Sequence, residues 1–175
     1  MGRLTLPSSG APYPTFLGLS STVKILFVCT GNTCRSPLAE ALANRLVIER
    51  ALDSFEVSSA GTSTWEGSPA SDAAILVGLE RGLDVSQHRA RQLTRELVAE
   101  HDLVLAMGPH HLDRIEALGG EGKSFVVTDY ASGGSIDQPI ADPFGGDLDA
   151  YRATADELSA EIRKVFDRIA AENPR

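Results

Sequence analysis

From Val23 onward, short apolar runs typical of buried strands alternate with longer segments of helical periodicity. Strands are predicted at Val23–Val28, Phe55–Ser59, Leu103–Met107 and Ser124–Val127. Strands joined through helices require right-handed crossovers, which place the strands parallel to one another. We therefore expect a single α/β domain with a four-stranded parallel sheet and helices on both faces. The expected strand order is 2-1-3-4, which the crossovers alone do not fix.

The helical periodicity also sets where chemistry is expected. Helices are predicted at Pro37–Leu52, Pro69–Arg81, Thr94–Glu100 (capped by Thr94), Pro109–Leu118 and about 147–171. A long polar loop is predicted over Thr128–Gly146. Ligands of parallel sheets bind beyond the carboxyl ends of the strands. The loops that follow the predicted strands should therefore hold the functional residues.

Residues 1–22 lie outside this alternating pattern. Pro7, Pro12 and Pro14 interrupt any periodicity, and Arg3 is the only charged residue. A secretory signal peptide is not predicted, because the basic start and the unbroken apolar block are missing. A transit peptide stays open as an alternative. We expect a flexible or loosely docked N-terminal extension, followed by one domain over residues 23–173.

Charge and cysteine content exclude several classes of protein. The net charge of −8 disfavours a general partner for nucleic acids or anionic membranes. No apolar run approaches the roughly 18 residues that span a bilayer. Cys29 and Cys34 are the only cysteines, too few for a disulfide framework or a four-cysteine zinc site. A reactive thiol suits the reducing cytoplasm, which is the expected location.

The segment after the first predicted strand, VCTGNTCRSP, carries the strongest functional signal. It begins where an apolar strand ends and stops where a helix begins, so backbone N–H groups and the helix N-terminus can surround an anion. Arg35 would add a guanidinium fork for two phosphate oxygens. We predict a phosphate-binding loop that contains Thr30, Gly31, Asn32, Thr33, Cys34, Arg35 and Ser36.

Cys29 stands at the base of this loop, where N–H groups and a helix N-terminus favour the thiolate form. Ser36 is placed to donate its hydroxyl to that thiolate. The alternative interpretation is a buried cysteine at a strand end beside a solvent-facing Arg35. Cys34 also has two open interpretations. It is either a small apolar filler or a resolving thiol that forms a reversible disulfide with Cys29.

A thiolate that attacks phosphorus expels a leaving group that needs a proton, so a carboxylic acid must reach it. Asp142 is the best candidate, because its Gly- and Pro-rich loop follows the last predicted strand. Asp129 is interpreted as a loop or capping carboxylate. His101, His110 and His111 are predicted to be surface residues, since none has the spacing of a metal ligand.

Motifs along the chain resemble, in order, those of the low-molecular-weight protein-tyrosine phosphatases and their bacterial arginine-phosphatase relatives. They are CTGNTCRSP at 29–37, SSAGT at 58–62, HRARQLT at 88–94 and DPFGG at 142–146. The resemblance covers about residues 23–173. It implies hydrolysis of phosphorylated proteins without metal or cofactor, with Cys29 as nucleophile and Arg35 as phosphate clamp. Asp142 would be the general acid and then the base.

The same resemblance implies supporting residues around the loop. Ser59 matches a serine that supports the loop, and His88 would hydrogen-bond Asn32. Trp65, on the loop after the second strand, would line the wall of the pocket.

The resemblance also addresses the substrate. Members that act on phosphotyrosine usually carry an aliphatic residue where Thr33 stands and aromatic residues after Asp-Pro. The phosphoarginine branch carries threonine and DPFGG, as here. A Thr33 hydroxyl and the Asp142 carboxylate both accept bonds from a guanidinium, which a phenyl ring does not offer. We expect a protein phosphoarginine phosphatase with specificity residues Thr33, Asp142, Phe144 and Trp65, and a phosphotyrosine phosphatase is the alternative.

Other functional classes share parts of this pattern. A thioredoxin-coupled arsenate reductase would need further cysteines. A phosphocarrier module would need Cys29 but not the pair of Arg35 and Asp142, and a redox sensor would not need Asp142. The sequence leaves the oligomeric state open.

Overall fold

The computed structural model describes Tyr13, Pro14, Phe16 and residues 22–172 of the 175-residue chain. Within this part of the chain the strands are β1 (Val23–Cys29), β2 (Phe55–Gly61), β3 (Leu103–Ala106) and β4 (Ser124–Val126). Neighbouring strands pair in parallel, in the order β2-β1-β3-β4. The predicted four-stranded parallel sheet and its strand order are therefore confirmed.

The described helices connect these strands and cover both faces of the sheet. They are α1 (Arg35–Glu49), α2 (Asp72–Glu80), α3 (Arg95–Glu100), α4 (Pro109–Ile115), α5 (Val127–Ser132) and α6 (Leu148–Glu172). Thr94 caps α3 as predicted, since its hydroxyl accepts a hydrogen bond from the Leu97 N–H at 3.2 Å. Every helix within the described residues is too short or too polar to cross a lipid bilayer.

Side chains of β1 alternate between two apolar cores, one on each face of the sheet. Ile25 and Phe27 point to the core shared with α1, α2 and α6. Leu26 and Val28 point to a smaller core shared with α3 and the end of α4. Because successive strand residues face opposite sides, Cys29 falls on the face covered by α1. The alternation thus places the cysteine thiol at the first turn of that helix.

Several predicted helix boundaries are wrong by a few residues. Helix α1 begins at Arg35, because a proline fits anywhere in a first turn, where its missing N–H is not required. Helix α2 begins at Asp72 and not at Pro69, because Ser71 caps it by accepting from the Ala74 N–H at 3.2 Å. Helix α4 ends at Ile115 and not at Leu118, and a wider helical turn follows it over residues 116–120.

The predicted loop over Thr128–Gly146 is wrong at its start, where α5 forms. Val127 and Tyr130 lie three residues apart and are both fully buried, so they present one short apolar face to the core. Gly133 follows the last residue of α5 and stops the helix, because its φ of 68° lies in the left-handed region that glycine tolerates. A turn of helix this short has too few periodic positions to stand out in the sequence.

The predicted N-terminal extension is described only at Tyr13, Pro14 and Phe16. Tyr13 and Phe16 are buried and belong to the core between the sheet, α5 and α6. The flexible or loosely docked extension over residues 1–22 stays a prediction. Thr22, the remaining described residue of the extension, is exposed. The rest of residues 1–22 lies outside the described residues.

Candidate active site

Cys29 ends β1 and lies under the first turn of α1. Its side chain is buried, and its Sγ atom is 2.9 Å from the hydroxyl oxygen of Ser36. Helix α1 begins at Arg35, and Cys34, the residue before it, makes no side-chain cap. The sulfur therefore sits at the positive end of a fifteen-residue helix, where a negative charge is stabilised.

Asn32 holds the loop in its curved form. Its φ of 55° is a left-handed conformation that asparagine adopts more readily than most residues. The fully buried side-chain amide donates to Ser36 Oγ at 2.8 Å and to Ser59 Oγ at 3.0 Å, and its oxygen accepts from the Arg91 N–H at 3.0 Å. The backbone carbonyl of Asn32 pairs with His88 Nε2 at 2.7 Å. The predicted contacts of Ser59 and His88 with this loop are thus present.

Ser36 Oγ lies between the Asn32 amide and the Cys29 sulfur, and either atom of the Ser36–Cys29 pair is able to donate. Because Ser36 Oγ accepts from the Asn32 amide, its own hydroxyl hydrogen is available to the Cys29 sulfur. On the other side, the Ser59 hydroxyl donates to the Glu40 carboxylate while it accepts from Asn32. The chain of donors therefore ends at Cys29 and stabilises the thiolate that a nucleophile requires.

Arg35 and Asp142 meet across the mouth of the loop. The Arg35 guanidinium is buried; its Nη1 donates to the Ile140 carbonyl at 3.1 Å and its Nη2 lies 3.5 Å from Asp142 Oδ2. The other carboxylate oxygen of Asp142 accepts from the Phe144 N–H at 3.1 Å. The Asp142 side chain is half-exposed, so one carboxylate faces both the loop and the solvent from which water arrives.

The segment that carries Asp142 is fixed by hydrogen bonds on its inner side. Thr154 of α6 donates to the Ala141 carbonyl at 3.2 Å, and Thr128 of α5 donates to the Gln138 carbonyl at 2.6 Å. The Ile140 N–H donates to the Met107 carbonyl at the end of β3, at 2.8 Å. These bonds place the Asp142 carboxylate beside the phosphate loop, and no local sequence pattern predicts them.

A cleft of about 250 Å³ lies between the loop and Asp142. Its lining consists of Cys29, Thr30, Gly31, Thr33, Cys34, Arg35, Asp142 and Phe144. Phe144 is 81% exposed and stands at the rim, whereas Trp65 is 86% exposed and does not line the cleft. The structure therefore places Trp65 outside the pocket wall on which it was expected. A larger groove of about 560 Å³ runs along α1, but neither cysteine lines it.

His111 was predicted to be a surface residue, and this prediction is wrong. Its side chain is fully buried at the start of α4, and its Nε2 lies 2.8 Å from the hydroxyl of Thr30 in the phosphate loop. Burial, reinforced by the positive charges of His110 and Arg35, lowers the pKa of His111 to about 4. The available signal was its position just beyond β3, at the same sheet edge as the loop.

His101 was also predicted to be at the surface and is buried instead. Its ring bridges Ser58 Oγ, at 2.9 Å from Nε2, and the Leu97 carbonyl, at 2.6 Å from Nδ1. Burial lowers the pKa of His101 below its ordinary value. The ring ties α3 to β2, away from the residues that line the cleft. The third histidine, His110, is exposed as predicted.

Cys34 contacts α6 as well as the loop. Its sulfur is 3.4 Å from the Tyr151 hydroxyl and 3.5 Å from that of Ser71, and both cysteines are free thiols. Burial and the contact with Cys34 raise the pKa of Tyr151. The polar contacts of Cys34 argue against a purely apolar filler, whereas its role as a resolving thiol remains a prediction.

The arrangement of thiol, guanidinium and carboxylate around one cleft suits transfer of a phosphoryl group to sulfur. Comparison with known proteins decides the family, because the model of the low molecular weight phosphotyrosine protein phosphatases matches residues 24–175. The chain belongs to this family. Members share the phosphocysteine mechanism, so the chain is a cysteine-dependent protein phosphatase. Residues 1–23 lie outside the region that the family model matches.

Curated members of the low molecular weight phosphatase family with high similarity include two protein-arginine-phosphatases. The protein from Geobacillus stearothermophilus is 42% identical over 151 residues, 85% of this chain and 97% of the relative. The protein from Bacillus subtilis is 39% identical over 147 residues, 83% of this chain and 95% of the relative. A low molecular weight protein-tyrosine-phosphatase, Wzb from Salmonella typhi, is 34% identical over 149 residues, 85% and 95% of the two chains.

Solved structures of the family share the fold described above. The YwlE arginine phosphatase from Geobacillus stearothermophilus superposes with a TM-score of 0.77 at 42% identity, over 86% of this chain and 94% of the other. A YwlE mutant with a phosphorylated active-site serine has a TM-score of 0.78 at 36% identity, over 84% and 95%. A phosphoryl group on the active-site side chain of a relative agrees with a covalent phosphoenzyme.

Proposed function

We propose that this phosphatase hydrolyses phosphoarginine residues in proteins. The observation that carries the proposal is that Thr33 and Asp142 line the same cleft as the nucleophile Cys29. Thr33 Oγ1 has only a weak internal contact, 3.8 Å from the Cys34 sulfur, so the hydroxyl is available to a ligand. Two arginine phosphatases among the relatives support the same substrate.

A guanidinium leaving group needs hydrogen-bond acceptors that a phenol does not. The Thr33 hydroxyl and the Asp142 carboxylate provide them, since both residues line the cleft. A phenyl ring in the same place would desolvate the Thr33 hydroxyl without replacing its bond to water, at a cost of about 1–3 kcal/mol. The cleft therefore favours a phosphorylated guanidine over a phosphorylated phenol.

The proposed first step forms an S–P bond and breaks the P–N bond of phosphoarginine. The Cys29 thiolate attacks phosphorus while Arg35 and the backbone N–H groups of the loop hold the phosphoryl oxygens. Asp142, protonated, gives its proton to the leaving guanidine nitrogen. In the second step Asp142 accepts a proton from water, which attacks phosphorus and releases inorganic phosphate and the Cys29 thiolate.

Phosphotyrosine is the second candidate substrate, and one observation favours it. Phe144 is an exposed aromatic ring on the rim of the cleft, where it offers a face for stacking on a phenol ring. A tyrosine phosphatase among the relatives, Wzb from Salmonella typhi, agrees with this interpretation. Phe144 would rest equally against the planar guanidinium of arginine, so the ring alone does not separate the two substrates.

The test compares peptides of one sequence that carry phosphoarginine, phosphotyrosine or phosphoserine. We expect kcat/KM to be at least about tenfold higher for phosphoarginine, which corresponds to about 1.4 kcal/mol. Thr33→Ile should reduce this preference by a similar factor, and Cys29→Ser serves as the blank. Equal rates on phosphoarginine and phosphotyrosine, unchanged in Thr33→Ile, would rule out the assignment.

The remaining expectations accompany this proposal. Arg35, the loop amides and the end of α1 neutralise the phosphoryl group, so the proposed steps require no metal or cofactor. The free thiols of Cys29 and Cys34 suit the reducing cytoplasm. The acidic net charge of −8 argues against nucleic acid as a partner, which leaves phosphorylated proteins as the expected ones.

A further inference from the structure

Tyr13 lies outside the part of the chain that matches the family, yet it is docked firmly on the domain. Only 7% of it is exposed, and its ring centroid is 4.8 Å from that of Phe125 and 5.3 Å, edge-on, from that of Tyr130. The guanidinium carbon of Arg168 lies 4.0 Å above the centre of the ring. Such a stacked cation and aromatic pair contributes about 0.5–2 kcal/mol.

The polar end of Tyr13 faces the body of α5. Its hydroxyl lies 3.5 Å from the Asp129 carbonyl and 3.4 Å from Asp129 Oδ1, both at the long limit of a hydrogen bond. Burial, with the nearby Asp129 carboxylate, raises the pKa of Tyr13, so the hydroxyl stays protonated. Ring packing is thus the main contact and the hydroxyl the lesser one.

Arg168 connects this ring to the end of α5. Its Nη1 donates to the Tyr130 carbonyl at 3.2 Å, in the last turn of the helix. Gly133, the residue that ends α5, has no Cβ that would clash with this guanidinium, and the next residue, Gly134, passes beside the Tyr13 hydroxyl. Tyr13 therefore covers the point where α5 turns into the segment that carries Asp142.

Helix α5 in turn holds that segment from its other end. Thr128 donates to the Gln138 carbonyl at 2.6 Å, four residues before Asp142. Two residues further on, the Ile140 carbonyl accepts from the Arg35 guanidinium. A shift of α5 would therefore move the carboxylate relative to the phosphate loop, because α5 contacts both ends of the connecting segment.

From these contacts we infer that Tyr13 is a positioning residue for catalysis: stacked on Arg168, it holds α5 so that Asp142 faces the cleft. The inference rests on the proposed role of Asp142 as general acid. Loss of the Tyr13 ring should leave the phosphate loop intact and reduce only the steps that need Asp142.

Leaving-group dependence separates this effect from general destabilisation. Phenyl phosphate expels a strongly basic phenolate and depends on the acid, whereas 4-nitrophenyl phosphate expels a weakly basic one and depends on it less. In Tyr13→Ala we expect kcat/KM to fall roughly tenfold for phenyl phosphate and less than about threefold for 4-nitrophenyl phosphate. The inhibition constant of inorganic phosphate should stay within about twofold, because Arg35 and the loop are untouched.

Matched variants complete the experiment. Tyr13→Phe keeps the ring and should behave like the wild type. Phe55→Ala removes an aromatic ring that packs on α6 through Phe166, far along the chain from α5, and should lower the Tm without changing the ratio of the two substrates. Should Tyr13→Ala not fold, Tyr13→Leu removes the stack on Arg168 but keeps apolar volume.

The outcomes are separable. If Tyr13→Ala or Tyr13→Leu lowers both substrates equally, or neither, the positioning role of Tyr13 is overturned. If Asp142→Asn itself leaves phenyl phosphate hydrolysis unchanged, the acid role of Asp142 fails first and the inference with it. A selective loss on phenyl phosphate in both Tyr13→Ala and Asp142→Asn, absent from Phe55→Ala, supports the inference.

Discussion

The hydroxyl of Thr30 and Nε2 of the buried His111 lie 2.8 Å apart, which joins the start of α4 to the phosphate loop. Because burial lowers the pKa of His111 to about 4, the ring is neutral at physiological pH. A neutral ring forms this bond without bringing a second cation beside Arg35. The contact thus keeps the anion site fixed in shape without altering its charge.

This histidine makes the stability of the fold sensitive to acid. In the unfolded chain its pKa is near 6.5, so between about pH 6.5 and pH 4 the unfolded state binds a proton that the folded state does not. Stability is therefore fully present above pH 6.5 and is lost as the pH falls, by up to about 3 kcal/mol near pH 4. Urea unfolding of His111→Gln should show a smaller loss between pH 7 and pH 4.

The control for this effect is the neighbouring His110, which is exposed. His110→Gln removes only the lesser cause of the lowered His111 pKa and leaves the burial of His111 intact, so it should keep most of the wild-type pH dependence. The acid sensitivity of the carboxylates is common to all three proteins and cancels in the comparison. An identical pH slope in His111→Gln and the wild type would contradict the prediction.

Ser36 should support the reactivity of Cys29. Its hydroxyl lies 2.9 Å from the Cys29 sulfur, and because the Asn32 amide donates to its oxygen, its own proton is available to the sulfur. We expect Ser36→Ala to lower kcat by roughly 10- to 100-fold, since a bond to a charged group is worth about 1.5–3 kcal/mol. Alkylation of Cys29 by iodoacetate at neutral pH should slow in parallel. A variant with slower turnover but unchanged alkylation would place the role of Ser36 in another step.

Asn32 should be the most sensitive residue of the loop framework. Asn32→Ala removes three side-chain hydrogen bonds in a fully buried site and leaves a less tolerant residue at a φ of 55°. We expect the free energy of unfolding to fall by about 2–4 kcal/mol and kcat/KM by roughly 100-fold. Asn44→Ala, on the partly exposed face of α1, is the matched control and should change neither quantity appreciably.

Asp142→Asn should remove the acid and the base while it preserves the shape of the loop. We expect kcat on phosphoarginine peptides to fall by roughly 100-fold or more, with little change in phosphate inhibition. Asp137→Asn is the control, because Asp137 shares the same polar segment but does not line the cleft. Retention of full kcat in Asp142→Asn would show that another group transfers the proton and would contradict the role proposed for Asp142.

Local patterns were enough to predict the sheet and the chemistry of the loop. The apolar run in VKILFV marks a strand buried on both faces, and the loop after Cys29 joins it directly to α1, so its residues meet without help from distant ones. The contact between Cys29 and Ser36 spans only seven residues. Contacts over so few residues can be predicted from the sequence, because the backbone itself fixes the distances between the residues.

The residues whose surroundings the sequence did not predict are placed by contacts between distant parts of the chain. The buried His111 contacts Thr30, which is 81 residues away in the chain. The Tyr13 hydroxyl contacts Asp129 of α5, which is 116 residues away. Trp65 was expected in the pocket because its loop follows β2, yet its side chain points to solvent. Which face a side chain presents is decided by what packs against it.

For this protein, the sequence by itself determined the parallel strands, the phosphate loop and the identities of its reactive groups, because these follow from short-range periodicity and adjacency. Tertiary structure alone decided that His111 supports Thr30, that Thr128 and Thr154 hold the segment of Asp142, and that Tyr13 docks beside α5. Burial and hydrogen bonding between remote residues are properties of the packed chain. Their free energies arise only once the helices have closed over the sheet.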